Sequence, residues 1–229
     1  PVRPSIVTRT PGYCAGCPHN SSTKLPDGEV VGMGIGCHSI SGFLTPDEIT
    51  NFTQMGGEGA FWIGRSPFSK HNHSFQNIGD GTYAHSGYLG IRAAVASGVN
   101  MTFKILYNGA VAMTGGQTVE GGQTPWVMSR QLAAEGVVKI AIVTDTLDDL
   151  SNGAEWASNS QIYHRRDIIK VQRELKLIPG VTAIIYIQSC ATELRRKRKR
   201  GIIADRLETI VINEKICEGC GDCATQSNC

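Results

Sequence analysis

The sequence predicts an α/β fold, a parallel sheet with helices on both faces. Strand-like apolar runs alternate with helix-length stretches at a spacing that suits parallel strands joined by crossover helices. The chain of 229 residues, 41% hydrophobic and 18% charged, is long enough to bury a sizeable core. Its net charge of +2 is too small to imply a nucleic-acid or membrane partner. It carries no apolar run of membrane-spanning length and no signal peptide, which predicts a cytoplasmic protein.

Residues 1–28 are rich in Pro, Gly, Ser and Asn, carry Cys14, Cys17 and His19, and read as an irregular lead-in. Residues 29–35 read as the first strand, running into Gly36-Cys37-His38. The small-residue run 55–60 opens a helix packed tightly on the sheet or on a cofactor. A strand at 74–78 precedes Gly79-Asp80-Gly81, and 83–98 reads as a helix with Leu89, Ile91, Ala93, Ala94 and Val95. A strand at 102–107 feeds a loop at 108–124. Then come a helix at 126–135, a strand at 138–144, a helix at 165–175 and a strand at 181–188. Beyond Cys190 lie a basic run at 195–200, an apolar run at 207–212 and a cluster of cysteines.

In such sheets ligands bind outside the carboxyl ends of the strands, and Cys37, Asp80, Asn108 and Cys190 each follow a strand end. A carboxylate and an amide oxygen at neighbouring strand tips can share one Mg²⁺, which prefers oxygen donors and leaves its other positions to water and phosphates. Asp80 and Asn108 are that pair. Gly79 and Gly81 let the backbone approach a diphosphate, and the following helix can point its N-terminus at the anion.

Eight cysteines could form disulfides, but secreted disulfide scaffolds are small and loop-rich, whereas this chain has a large α/β pattern. They fall into two sets of four: Cys14, Cys17, Cys37 and Cys190 in the body, and Cys217, Cys220, Cys223 and Cys229 at the end. Four and four is a metal count. The tight spacing of Cys217, Cys220 and Cys223 is that of a ferredoxin iron-sulfur site, with zinc as the rival; Cys229 fits the fourth place less well. In the first set, Cys37 and Cys190 have a second reading as small buried apolar residues, and Cys14 and Cys17 as a zinc pair.

The basic run reads as a solvated linker or helix face, and without aromatic interleaving it gives nucleic acid little support. His38 and His85 are the candidate acid–base residues because each follows a motif at the ligand edge. Arg65 could meet a substrate carboxylate, although a surface role suits it as well.

Gly79-Asp80-Gly81 followed by Asn108 resembles the diphosphate-binding motif of thiamine diphosphate enzymes, except that Gly109 stands where many members have a second asparagine. The resemblance implies that Asp80, Asn108 and the Ala110 carbonyl bind Mg²⁺. It also makes Met113 and Thr114, in Ala112-Met113-Thr114-Gly115-Gly116-Gln117, cofactor contacts. Taken in order, Cys14-Ala15-Gly16-Cys17-Pro18-His19, Gly34-Ile35-Gly36-Cys37, the Gly-Asp-Gly loop and that second loop are similar to 2-oxoacid:ferredoxin oxidoreductases, in particular the indolepyruvate branch. The ending Cys217-Glu218-Gly219-Cys220-Gly221-Asp222-Cys223 resembles its long fused bacterial form.

The resemblance covers nearly the whole chain. It implies a thiamine diphosphate and Mg²⁺ domain at 1–205, with Cys14, Cys17, Cys37 and Cys190 around a four-iron, four-sulfur (4Fe-4S) cluster. The beginning of a small ferredoxin-like iron-sulfur domain would follow at 206–229. It further implies oxidative decarboxylation of an aryl pyruvate, with coenzyme A taking the acyl group and electrons passing through the clusters to ferredoxin. The basic run would then attract an acidic ferredoxin or the phosphates of coenzyme A. Pro1 in place of Met and a stop at Cys229 inside a cysteine motif predict a fragment. The resemblance implies that it is inactive alone and part of a homo-oligomeric enzyme, with the thiamine-activating glutamate in another domain or subunit. A non-oxidative thiamine decarboxylase or synthase, and a zinc-binding interaction module, are the alternatives.

Overall fold

A computed structural model describes residues 11–147, 150 and 155–223. In chain order the elements are α1 (His19–Ser22), β1 (Val31–Met33), α2 (Ser41–Leu44), β2 (Ile49–Phe52), α3 (Ala60–Arg65), β3 (Ser74–Gly79) and α4 (Asp80–Thr82). Then follow α5 (Tyr88–Ser97), β4 (Met101–Tyr107), α6 (Pro125–Ala134), β5 (Lys139–Thr144), β6 (Ser160–His164), α7 (Ile168–Leu175), β7 (Val181–Ile187) and α8 (Ala191–Lys199).

The strands form one seven-stranded sheet in the order β2-β1-β3-β4-β7-β5-β6, and every pairing is parallel. Alternate residues of the central strands feed opposite faces, as the period of two requires. Ile105, Ile140, Ile142, Ala183 and Ile185 pack with Ile91 and Ala94 of α5 and with Met128 and Leu132 of α6. Leu106, Ala141, Val143, Ile184 and Tyr186 pack on the other face with Ile168, Val171 and Leu175 of α7. The sheet is therefore covered on both sides, as the sequence predicts.

Several polar groups inside this core are paired. His73 Nε2 and Thr182 Oγ1 lie 2.8 and 2.7 Å from Thr102 Oγ1. Lys104, fully buried on β4, donates to the Lys24 carbonyl at 3.2 Å.

Several elements differ from the sequence expectation for identifiable reasons. The first strand keeps only three of its seven residues, and within them its register against β2 shifts between Val31 and Gly32. Strands β2 and β6 carry no apolar run: both are edge strands, part-exposed, with the polar sequences Ile-Thr-Asn-Phe and Ser-Gln-Ile-Tyr-His. The helix expected at 83–98 begins earlier, at Asp80, and passes through a π-helical turn, Tyr83–Gly87, before α5. The lead-in holds the short helix α1, and most of the basic run lies in α8. Residues 207–212 form neither strand nor helix, and Leu207, Ile210, Val211 and Ile212 are exposed. Among the described residues no helix is long and apolar enough to cross a membrane.

Candidate active site

The connections leaving β1 and β3 run in opposite directions, β1 to β2 at one edge and β3 to β4 toward the other. The reversal opens a crevice beyond their carboxyl ends, the usual place for a ligand in such a sheet. Cys37 follows β1 and Asp80 follows β3, so the crevice lies between them. A cavity of about 400 Å³ occupies this edge. Its wall contains Gly79, Asp80, Gly81, Asn108, Ala110, Met113 and Thr114, together with His38 and His85.

Asp80 joins the two strand ends. Oδ1 accepts from Gly81 N at 2.9 Å, and Oδ2 accepts from Asn108 N at 3.0 Å and Gly109 N at 2.7 Å. Gly109 has φ +69°, a left-handed conformation that turns its N–H toward the carboxylate and that a side chain would strain. Asn108 Oδ1 in turn accepts from Ala110 N at 3.0 Å. Burial pushes the Asp80 carboxyl up from its ordinary value, opposed by backbone N–H donors, those of Asn108 and Gly109 first.

A carboxylate offers about four acceptor positions, and an amide oxygen about two. Three are taken on Asp80 and one on Asn108, which leaves one lone pair on Asp80 Oδ1 and one on Asn108 Oδ1. Two open oxygen donors on neighbouring strand ends, beside glycine backbone, fit a hard divalent cation and a diphosphate.

His38 is buried and its ring bonds the Gly34 backbone, while Nε2 has no protein partner. Burial, reinforced by His19, brings its pKa down to about 3, so the ring is neutral at physiological pH. His85 is exposed, with Nδ1 2.9 Å from Ser86 Oγ. Arg65 does not reach the cavity: it is exposed on α3, its guanidinium 5.7 Å from the centroid of the Phe61 ring.

A second cavity, about 230 Å³, is lined by Cys14, Cys17, Cys37 and Cys190. All four are free thiols. Burial pushes the Cys17 thiol up to about 11, with the neighbouring Cys37, Cys14 and Cys190 adding to the rise. Cys37 moves in the same direction, first by burial and then through Cys190 and Cys14. His19, Cys37, Asn108 and Ala112 belong to the walls of both cavities, so the two spaces adjoin. Among the described residues no group of three or more His, Cys, Asp or Glu side chains stands in an arrangement that could hold a single metal ion. Cys217, Cys220 and Cys223 are exposed, and Cys229 lies outside the described residues.

Sequence reasoning assigned no role to Ile35, Val119, Glu120 or His19 on the larger cavity's wall, and placed Met55 only in a run packed on the sheet or on a cofactor. Met55 was accessible in principle: its glycine-flanked turn is fixed by the buried Glu58, whose Oε2 accepts from Gly56 N at 2.7 Å.

Residues 34–157 match the family described as "Thiamine pyrophosphate enzyme, C-terminal TPP binding domain". Indolepyruvate oxidoreductase subunit IorA of Thermococcus kodakarensis is 25% identical over 98% of this chain and 36% of its own length. The subunit of the same name from Archaeoglobus fulgidus is 27% identical over 94% of this chain and 33% of its own. The chain thus spans about a third of the length of these relatives. A solved structure of 2-oxoglutarate:ferredoxin oxidoreductase from Magnetococcus marinus, with 2-oxoglutarate, coenzyme A and succinyl-CoA bound, superposes with a TM-score of 0.57 at 19% identity. That superposition covers 81% of this chain and 66% of the other, and it shows a shared fold.

Proposed function

Because the chain belongs to the thiamine pyrophosphate enzymes, through their C-terminal TPP-binding domain, we propose that it is the cofactor-binding part of an indolepyruvate-type 2-oxoacid:ferredoxin oxidoreductase. One observation carries this reading: a cavity edged by Asp80 and Asn108 shares a wall with a cavity lined by four cysteines from separate segments. A decarboxylase that released its product without oxidation would have no use for the second cavity.

Asp80, Asn108 and the Ala110 carbonyl hold Mg²⁺, with Gly79, Gly81, Met113 and Thr114 around the diphosphate and ring. Cys14, Cys17, Cys37 and Cys190 hold a 4Fe-4S cluster. A single zinc ion would need its sulfurs within about 2.3 Å of one point, whereas a cluster spreads its four thiolates around a larger body, in keeping with thiols set around a cavity. Cys217, Cys220 and Cys223 begin a second iron-sulfur segment at 206–229, after the thiamine domain at 1–205.

Thiamine diphosphate, when bound, supplies the carbon nucleophile and electron sink that 2-oxoacid decarboxylation requires. This chain's residues orient and shield. The Asp80 and Asn108 oxygens would hold the metal at the diphosphate end, and Ile35, Met55, Met113 and Val119 give the same cavity an apolar wall. His38, neutral and with Nε2 free, can accept a hydrogen bond at that atom. The remaining domains or subunits would supply the glutamate that activates the thiamine ring. An aryl pyruvate is the substrate, coenzyme A the acyl acceptor and ferredoxin the electron acceptor, in a homo-oligomeric assembly.

The test is anaerobic purification of the whole enzyme, followed by iron, sulfide and zinc analysis and Mg²⁺-dependent thiamine diphosphate titration. The expected result is iron and sulfide in equal amounts with saturable cofactor binding. Zinc without iron would overturn the oxidoreductase reading.

A further inference from the structure

Helix α8 starts directly after Cys190, which occupies its N-cap position. Successive residues on a helix are about 100° apart, so Arg195 and Arg196 leave it toward different neighbours. Arg195 Nη1 donates to the Ala15 carbonyl at 3.0 Å, and Nη2 is braced on Thr192 Oγ1 at 3.3 Å. Ala15 lies inside the Cys14–Cys17 loop. Arg196 Nη1 donates to the Gly115 carbonyl and meets Glu193 Oε2 at 3.3 Å. Gly116 rests on that ion pair so closely that a Cβ would stand 2.5 Å from Glu193 Oε2 and 2.9 Å from Arg196 Nη1. Gly115 and Gly116 directly follow Met113 and Thr114 of the larger cavity's wall. One helix therefore carries a cysteine of the small cavity at its start and grips a loop of each cavity with consecutive arginines.

We propose that Arg195 and Arg196 are positioning residues: Arg195 fixes the Cys14–Cys17 loop and places a positive charge beside the cysteine cavity, and Arg196 fixes the 112–117 loop against α8. The inference rests on the cluster and thiamine diphosphate reading above. One-electron reduction of a cluster adds one negative charge to it, and net charge, hydrogen bonding and exposure set its potential. A guanidinium hydrogen-bonded to the ligand loop favours the reduced form. Arg195 is exposed, so salt screens its effect. Arg196 has no cysteine loop to act on; its effect falls on cofactor affinity.

The experiment uses the holoenzyme and follows the paramagnetic signal of the reduced cluster that is lost in Cys37→Ala. Arg195→Gln should shift the ratio of reduced to oxidised cluster about three- to tenfold toward oxidised at fixed ambient potential, tenfold being about 59 mV for one electron. Thiamine diphosphate affinity should stay within twofold of wild type. The shift should shrink as salt is raised, and Arg195→Lys, which keeps the charge, should recover most of it. Arg196→Gln should weaken thiamine diphosphate binding several-fold and leave the cluster potential unchanged. An unmoved potential in Arg195→Gln, or both variants lowering both quantities alike, overturns the proposal while the functional reading stands. A wild-type enzyme with no cluster signal that depends on Cys37 removes both.

Discussion

Replacing Asp80 by Asn separates its two roles, as a brace between strand ends and as a cation ligand. An amide oxygen can satisfy Asn108 N and Gly109 N with its two lone pairs, and the side-chain nitrogen then faces Gly81 N. One backbone donor loses its acceptor, and the lone pair on Oδ1 left open for a cation disappears. Leaving one buried donor unsatisfied costs about 1–3 kcal/mol. In a domain of this size each kcal/mol moves Tm by about 2–4 °C, so melting should fall by about 2–12 °C. Asp80→Ala orphans all three donors and should cost roughly 3–9 kcal/mol, which approaches the roughly 5–15 kcal/mol that holds a typical domain together. The assay pairs thermal melting without cofactor with calorimetric titration of thiamine diphosphate and Mg²⁺. Asp80→Asn should remain folded and lose Mg²⁺-dependent binding. The reasoning fails if Asn and Ala destabilise equally, or if Asp80→Asn binds the cofactor as wild type does.

Lys104 is fully buried without a carboxylate contact, and burial lowers its pKa to about 7. Between that value and the ordinary lysine value near 10.4 the unfolded chain binds more protons, so this residue's contribution makes stability rise with pH across that window. Lys104→Met leaves the Lys24 carbonyl with Gln172 Nε2 at 3.0 Å, and should stabilise the fold by about 1–4 kcal/mol below pH 7. Its advantage should vanish toward pH 10, and denaturant unfolding at several pH values measures it; an advantage constant with pH would contradict the buried-charge account. Gly109→Ala meets open space, its nearest neighbour being Tyr107 Oη at 3.8 Å, but it forces alanine to φ +69°. It should cost about 1–2 kcal/mol, read as a lower Tm, together with weaker cofactor binding as Gly109 N leaves Asp80; unchanged melting would show that the turn relaxes at no cost.

The central strands were legible in the sequence because burial on both faces writes an apolar run into each, and their ends placed Cys37, Asp80, Asn108 and Cys190 on one edge. The edge strands were not. β2 and β6 are held by backbone pairing to a single neighbour, so side chains such as Thr50, Asn51 and Gln161 carry no periodic signal. The helix start at Asp80 was hidden for a related reason. Gly79-Asp80-Gly81 reads locally as a turn, and what makes Asp80 the first helical residue is its anchoring by Asn108 N and Gly109 N from another strand end. Such partners are invisible to a local pattern. The arginines of α8 illustrate the same limit, since Arg195 and Arg196 read as a solvated charge run until the fold brings Ala15 and Gly115 beneath them.

Several ionisable groups beside the two cavities are buried, His19, His38 and Lys104 among them. Burial holds His19 near pKa 4 and His38 near 3, with the Lys104 charge contributing to the depression of each. Both rings are thereby kept neutral, His19 at the shared wall with Nδ1 3.1 Å from Ser22 Oγ and His38 on the larger cavity's wall with Nε2 unpaired. A charged histidine there would draw water into an apolar wall; a neutral one does not. Replacing Lys104 by Met should accordingly raise the pKa of His19, measurable by NMR titration, because it removes a neighbouring positive charge while leaving the burial of the ring unchanged. An unmoved or lowered His19 pKa in that variant would mean that burial alone keeps the ring neutral.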